Sequence, residues 1–193
     1  MRGRHHFLRG SLEVEDVERV RGLRQVALLD GGLAKWKAEG RRLESGGVQS
    51  RRGHFTPVLD EPAVADKAYV ASIVHSDGHD IVDARPRGRF TGEEPEPRPG
   101  LEPGHIPGSR NLPQSEFFNP DNSWKRDAAL REAFDGAGID LSKPMVTTCG
   151  SGITAAVVLF AAHLLGKQDV KLYDGSWSEW GSDPSTPKAR GGE

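Results

Sequence analysis

The feature that most constrains this chain is the passage Val146-Thr147-Thr148-Cys149-Gly150-Ser151-Gly152-Ile153-Thr154, which runs into an apolar stretch over residues 155–165. β-Branched residues favour an extended strand, the small residues after them favour a tight loop, and an apolar run of that length suits a buried helix. A strand passing through a short loop into a helix is the half-unit of a parallel α/β sheet. The only cysteine of the chain stands at the junction. Backbone N–H groups and the positive end of a helix macrodipole converge at such a junction, a place that suits a negatively charged sulfur. That makes Cys149 a candidate for nucleophilic sulfur chemistry. The competing reading is a buried, inert cysteine closing a core strand. The glycines on both sides of Ser151 and the helix beyond favour the first.

The rest of the pattern extends the same architecture. Residues 66–74 read as a helix with Asp66 as its N-cap, and residues 81–84, Ile-Val-Asp-Ala, as a strand entering a polar loop. An amphipathic helix follows over 127–137, then a strand over 145–148, a helix over 153–165 and a last strand over 170–173. Strands alternating with helices predict an α/β fold, a parallel sheet with helices on both faces. Ligands of such sheets bind beyond the carboxyl ends of the strands, where Asp83, Arg85 and Cys149 fall. Residues 93–108 hold five prolines and are expected to form an irregular loop near the functional site.

Upstream, Val14, Val17 and Val20 share one helical stripe within residues 11–23, closed by Gly22. Residues 26–29 read as a short strand, Asp30-Gly31-Gly32 as a turn, and 33–39 as a helix stopped by Gly40. Residues 41–62 are polar and rich in Gly and Arg, as a linker would be. The expected organisation is a stub over 1–45, a linker over 46–63, a main domain over 64–181 and a disordered tail over 182–193.

Composition excludes several classes. A formal net charge of −2 offers no basic field for nucleic acid. One cysteine rules out an intramolecular disulfide framework and fits a reducing compartment such as the cytoplasm. The first residues are charged and lack the apolar core of a signal peptide. The apolar run 153–165 is too short to span a bilayer and contains His163, so a soluble protein without a membrane partner is expected. The seven histidines show no metal-ligand spacing with Cys149, so neither metal nor cofactor is implied.

Several motifs coincide with those of a known family. Cys149-Gly-Ser-Gly-Ile-Thr154 resembles the active-site loop of the rhodanese superfamily, in the version found in its mercaptopyruvate-using members. Val170-Lys-Leu-Tyr-Asp-Gly-Ser-Trp-Ser-Glu-Trp180 resembles the family's C-terminal signature. Asp83-Ala-Arg-Pro-Arg-Gly-Arg-Phe90, Glu94-Pro-Glu-Pro-Arg98 and Gly104-His-Ile-Pro-Gly108 are similar to its catalytic domain, in the same order. Residues 26–40 resemble the end of a second such domain. The resemblance implies a rhodanese-like sheet, and a tandem in which an inactive first domain forms one wall of the active-site cleft. Only the end of that first domain is recognisable here. The chain is therefore expected to be a shortened form, less active than a tandem, whose stub exposes apolar surface around Val26, Leu28 and Trp36 and invites self-association.

The resemblance also implies an activity. Cys149 would take sulfur from 3-mercaptopyruvate, less well from thiosulfate, hold it as a persulfide, and yield it to a thiol, cyanide or thioredoxin. Ser151 would hydrogen-bond the sulfur or the substrate carbonyl, or else cap the helix at Ile153. Arg89 and Arg98 stand where the family holds the keto-acid carboxylate, a task for planar bidentate donors; the alternative is that both are solvated loop residues. Gly150, Gly152, Ile153 and Thr154 would line the substrate site. Neutral residues after the cysteine favour a monoanionic donor over the dianion thiosulfate. Asp83 and Arg85 read as a structural ion pair, and His105 as a hydrogen-bonded loop histidine. A phosphatase on the same fold needs an arginine six positions after the cysteine, where this chain has Ala155. The other rival is a sulfur-carrier or binding module without its partner domain.

Overall fold

Two strands buried along their whole length, Asp80–Asp83 and Met145–Thr148, form the spine of the larger unit. Burial on both faces is what a central parallel strand with helices above and below requires, and it explains why Ile81-Val82 and Met145–Thr148 are apolar or β-branched without alternation. The computed structural model of the protein describes residues 11–14, 26–47, 54, 56 and 61–192. It divides into two compact units, one of Glu61–Phe117 with Lys125–Glu193, the other of the residues before 61 with Phe118–Trp124.

In the larger unit, β3 (Val64–Ala65), β4 (Asp80–Asp83), β5 (Arg110–Asn111), β6 (Met145–Thr148) and β7 (Val170–Tyr173) form a parallel sheet in the order β3-β7-β6-β4-β5. Asp83 pairs with Thr148, so β4 and β6 end level and release their loops at one edge. The helices are α2 (Lys67–Ile73), α3 (Arg87–Thr91), α4 (Asp127–Gly136), α5 (Ala155–Leu164) and α6 (Ser176–Trp180). The Asp66 carboxylate accepts the Tyr69 N–H at 2.7 Å, the expected N-cap of α2.

Side chains alternate across the strands and so divide the core. Ile81 and Val146 pack with Val70 and Ile73 of α2 and with Trp177 and Trp180 of α6. The buried Leu130 and Phe134 of α4 and Val158 and Ala161 of α5 lie outside that cluster, and α5 packs on β6 and β7. Helices thus flank the sheet. Small residues at Ala155, Ala161 and Ala162 let the α5 backbone approach it closely.

The proline-rich segment 93–108 is irregular, as expected, yet tied down at several points. Arg85 Nη2 donates to the Gly104 carbonyl at 2.8 Å, and the Trp177 indole donates to the Glu102 carbonyl at 2.9 Å. His105 Nδ1 lies 2.8 Å from the Phe90 carbonyl and its ring stacks on Phe90 at 3.8 Å, the structural role expected of it.

Residues 182–192 correct the expectation of a disordered tail. His105 and Ala189 exchange backbone hydrogen bonds of 2.9 Å, Gly191 N–H reaches the Thr91 carbonyl, and the Trp180 indole donates to the Pro187 carbonyl at 2.7 Å. Lys67 pairs with Asp183 at 2.7 Å and, with Ser185, holds that carboxyl well below its usual range, so this tie weakens as the pH falls into the acid range. The polar composition suggested solvation, but backbone pairing and hydrogen bonds to the buried Trp180 supply the order that side-chain burial in the tail does not.

In the smaller unit, β1 (Ser11–Val14) pairs antiparallel with β2 (Val26–Leu29), Ser11 facing Leu29 and Val14 facing Val26. Residues 11–14 are therefore strand where the valine stripe predicted helix; the rest of that predicted helix lies outside the described residues. Pairing satisfies the backbone groups that a lone β2 would leave open. α1 (Gly32–Ala38) follows, with Lys35 bonded to Asp121 at 2.6 Å and Asp30 accepting the Trp124 N–H at 2.8 Å. Leu28, Leu29 and Leu33 are exposed, whereas Trp36 is half-buried, with Arg41 over its ring and its indole N–H on the Arg42 carbonyl.

Candidate active site

Cys149 follows the last residue of β6 and is 2% exposed. The first turn of α6 grips its loop from the other side. Trp177 N–H donates to the Cys149 carbonyl at 2.9 Å and Ser178 N–H to the Gly150 carbonyl at 3.0 Å. The Ser176 hydroxyl accepts the N–H groups of Cys149 and Gly152 at 3.1 and 3.0 Å, donates to the Tyr173 carbonyl at 2.8 Å, and stands 4.0 Å from Cys149 Sγ. Ser176 is fully buried at φ 51°, a left-handed conformation that costs a non-glycine residue about 1 kcal/mol. The cost is offset by three hydrogen bonds at one hydroxyl.

These contacts refine the expected cradle. Two of the loop's N–H groups serve Ser176 rather than the sulfur. Those of Gly150, Ser151, Ile153 and Thr154 have no acceptor among the described residues. Gly152 makes the turn possible: its φ is 82°, and a Cβ there would lie 2.9 Å from the Asp174 carbonyl oxygen.

A pocket of about 450 Å³ opens over the cysteine. Cys149, Gly150, Ser151, Ile153, Thr154, Arg89 and Arg98 all line it, so the structure brings seven of the eight predicted site residues together. Gly152 does not line it and acts through its backbone. Ile153 is 77% exposed at its lip. The Ser151 side chain bonds to no described residue. It does not cap α5 either, which begins at Ala155 with no side-chain cap at Thr154.

The two arginines differ in what holds them. Arg98 is exposed on the irregular loop and donates from Nη1 to Ser178 Oγ at 2.9 Å; Ser178 in turn donates to the Gly150 carbonyl. Arg98 is thus linked to the cysteine loop through one serine. Arg89, on α3, forks onto Glu96, with Nε 3.2 Å from Oε1 and Nη2 on Oε2. A Cβ on Gly150 would come within 2.9 Å of Arg89 Nη2, so the bare glycine gives this guanidinium its place beside the cysteine.

Behind Arg89 lies the buried pair expected of Asp83 and Arg85. Arg85 donates to both Asp83 oxygens, with Nη2 2.6 Å from Oδ2, and reaches Glu96 Oε1 from Nη1 at 2.8 Å. Burial works against its charge, but Asp83 and Glu96 outweigh it and hold its pKa above the ordinary arginine value. Its guanidinium also lies 4.6 Å over the Trp177 ring. Sequence reasoning assigned no role to Glu96, Ser176 or Ser178, although each lies inside a motif it quoted. Among the described residues no group of three or more His, Cys, Asp or Glu could hold a metal ion, and no helix is long and apolar enough to cross a membrane.

The chain has relatives among known proteins. The chain is 44% identical to human 3-mercaptopyruvate sulfurtransferase over 159 residues, 82% of this chain and 54% of that protein. It is 40% identical to Chinese hamster (Cricetulus griseus) thiosulfate sulfurtransferase over 163 residues, 84% of this chain and 55% of that one. The crystal structure of the 3-mercaptopyruvate sulfotransferase of Escherichia coli superposes with a TM-score of 0.72 at 40% identity, covering 83% of this chain and 60% of that one. The chain thus spans just over half the length of the curated relatives it matches. The model of the rhodanese-like domain matches residues 66–183, more than half of the chain, and the chain belongs to the rhodanese family.

Proposed function

We propose that the protein is a sulfurtransferase that moves sulfur from 3-mercaptopyruvate, and less well from thiosulfate, through a Cys149 persulfide to a thiol, cyanide or thioredoxin acceptor. The observation that carries this reading is a lone cysteine on a loop with four N–H groups unclaimed among the described residues, in one pocket with Arg89 and Arg98. The Cys149 thiolate attacks the donor's sulfur. The C–S bond breaks, its electron pair leaves as the enolate of pyruvate, and a proton completes pyruvate. The acceptor thiolate then attacks the outer sulfur of the persulfide and releases Cys149. The free N–H groups supply fixed dipoles for the anionic persulfide, and Ser151 is in place to donate to the sulfur or the substrate carbonyl. Reaction through a free thiol suits a reducing compartment, which supports the cytoplasm.

We read β2 and α1 as the end of a first rhodanese domain. The alignments to relatives support this, being longer than the match to the rhodanese-like domain model itself. Exposed Leu28, Leu29 and Leu33 suit self-association of that unit.

The deciding experiment is mass spectrometry of the purified chain given mercaptopyruvate. Cys149 should gain one sulfur atom and lose it to added thiol, with pyruvate released at each turnover. Sulfur loading without turnover would favour the carrier reading, and no loading would sink both.

Arg98→Lys should raise KM for mercaptopyruvate about tenfold, the equivalent of about 1.4 kcal/mol, because a point charge replaces a fork that grips a carboxylate. Arg89→Lys should act in the same direction, and persulfide discharge to thiols should be little changed in either variant. If neither substitution shifts KM by more than about threefold, the carboxylate clamp is wrong.

A further inference from the structure

Four charged side chains line the pocket: Arg85, Arg89, Arg98 and Glu96. Arg85 is already compensated by Asp83, with both side chains 1% exposed. Glu96, 2% exposed at its side chain, binds Arg85 at 2.8 Å and takes Arg89 in a two-point fork. Asp83, Arg85, Glu96 and Arg89 therefore sum to zero. One cation is left over, Arg98, whose only described partner is the neutral hydroxyl of Ser178.

We propose that Glu96 determines the charge of the sulfur donor: by neutralising Arg89 it leaves the arginines and carboxylates around Cys149 with one net positive charge between them, which matches a monoanionic carboxylate and disfavours a dianion. The proposal rests on the sulfurtransferase reading and adds to it a residue that selects between donors. The neutral loop after Cys149 removes charge from one wall of the pocket, and Glu96 removes it from the other. A buried carboxylate acts strongly here, because it is screened by protein rather than by water. Glu96 also acts on Arg89 by position. It occupies Nε and Nη2, so Arg89 meets the substrate with a guanidinium already fixed in direction.

The test is Glu96→Gln, which keeps the shape and removes the charge. The ratio of kcat/KM for thiosulfate to that for mercaptopyruvate should rise about tenfold over wild type, since each added positive charge favours the dianion more. Calorimetric affinities for sulfate and pyruvate, which need no turnover, should shift in the same sense and by a similar factor. Glu96→Asp, which retains the charge, should leave both ratios within about threefold of wild type even if it weakens both anions. Glu96→Ala replaces the Gln variant if that one fails to fold by circular dichroism. If the charge-removing variant moves the sulfate-to-pyruvate ratio by less than about threefold, or if Asp moves it equally, the assignment is overturned. A wild-type chain that turns over neither donor would defeat the functional reading alone, because the anion affinities would still report on Glu96.

Discussion

Cys149→Ser is expected to abolish pyruvate release from mercaptopyruvate while leaving the thermal midpoint close to that of the parent chain. The fold should tolerate the change because the backbone, not the sulfur, makes the structural contacts. The Cys149 N–H is bonded to Ser176 and its carbonyl to Trp177. The side chain is nearly isosteric, and among the described residues its sulfur's one hydrogen-bond partner is the Ser176 hydroxyl, at 4.0 Å. A stability loss of about 1 kcal/mol is the most such a swap should bring. Catalysis should not tolerate it. A serine hydroxyl is a poor nucleophile toward sulfur at neutral pH and has no persulfide form. No second cysteine is present to substitute. Residual turnover above about a tenth of the parent rate in a pyruvate-release assay would place the nucleophile elsewhere.

What could be read from the residues alone follows the range of the interactions. The β6–loop–α5 junction was legible because β-branched, small and apolar residues succeed one another within twenty positions, each class with its own local preference. Asp66 was legible as a cap for the same reason, and Asp83 with Arg85 because two residues apart at a strand end they can scarcely avoid each other. Ser176 was not. Its role arises only when the first turn of α6 is laid against a loop 27 residues earlier in the chain. Glu96 was hidden by its motif, since nothing local tells which of three nearby acids turns inward to Arg85 and Arg89. Residues 11–14 misled because valines three apart suit a helix, and only pairing with β2 decides for a strand. The tail misled in the opposite way: Gly, Ser and Pro indicated solvent, while its order comes from backbone bonds to His105 and Thr91.

Arg85 concentrates the most structural consequence in one side chain, and its removal carries the largest expected stability effect. Arg85→Leu strips the counter-charge from Asp83 and one of two from Glu96, both buried. It also cuts the tie to the Gly104 carbonyl and the contact over Trp177. An ion left uncompensated in a low-dielectric interior costs about 3–5 kcal/mol, a large share of the stability of an ordinary domain. Leucine fills much of the volume, so lost packing is a minor part of the change. Lysine at the same position should recover only part of the loss, because one ammonium cannot reach both Asp83 oxygens, Glu96 and Gly104 from a single point. Urea titration should therefore rank the midpoints parent, then Lys, then Leu. Activity should fall earlier than stability in the Lys variant, since a loosened Glu96 no longer aims Arg89 beside Gly150. A Leu variant within about 1 kcal/mol of the parent would show that water reaches these carboxylates. The network would then be a solvated ornament of the pocket rather than its frame.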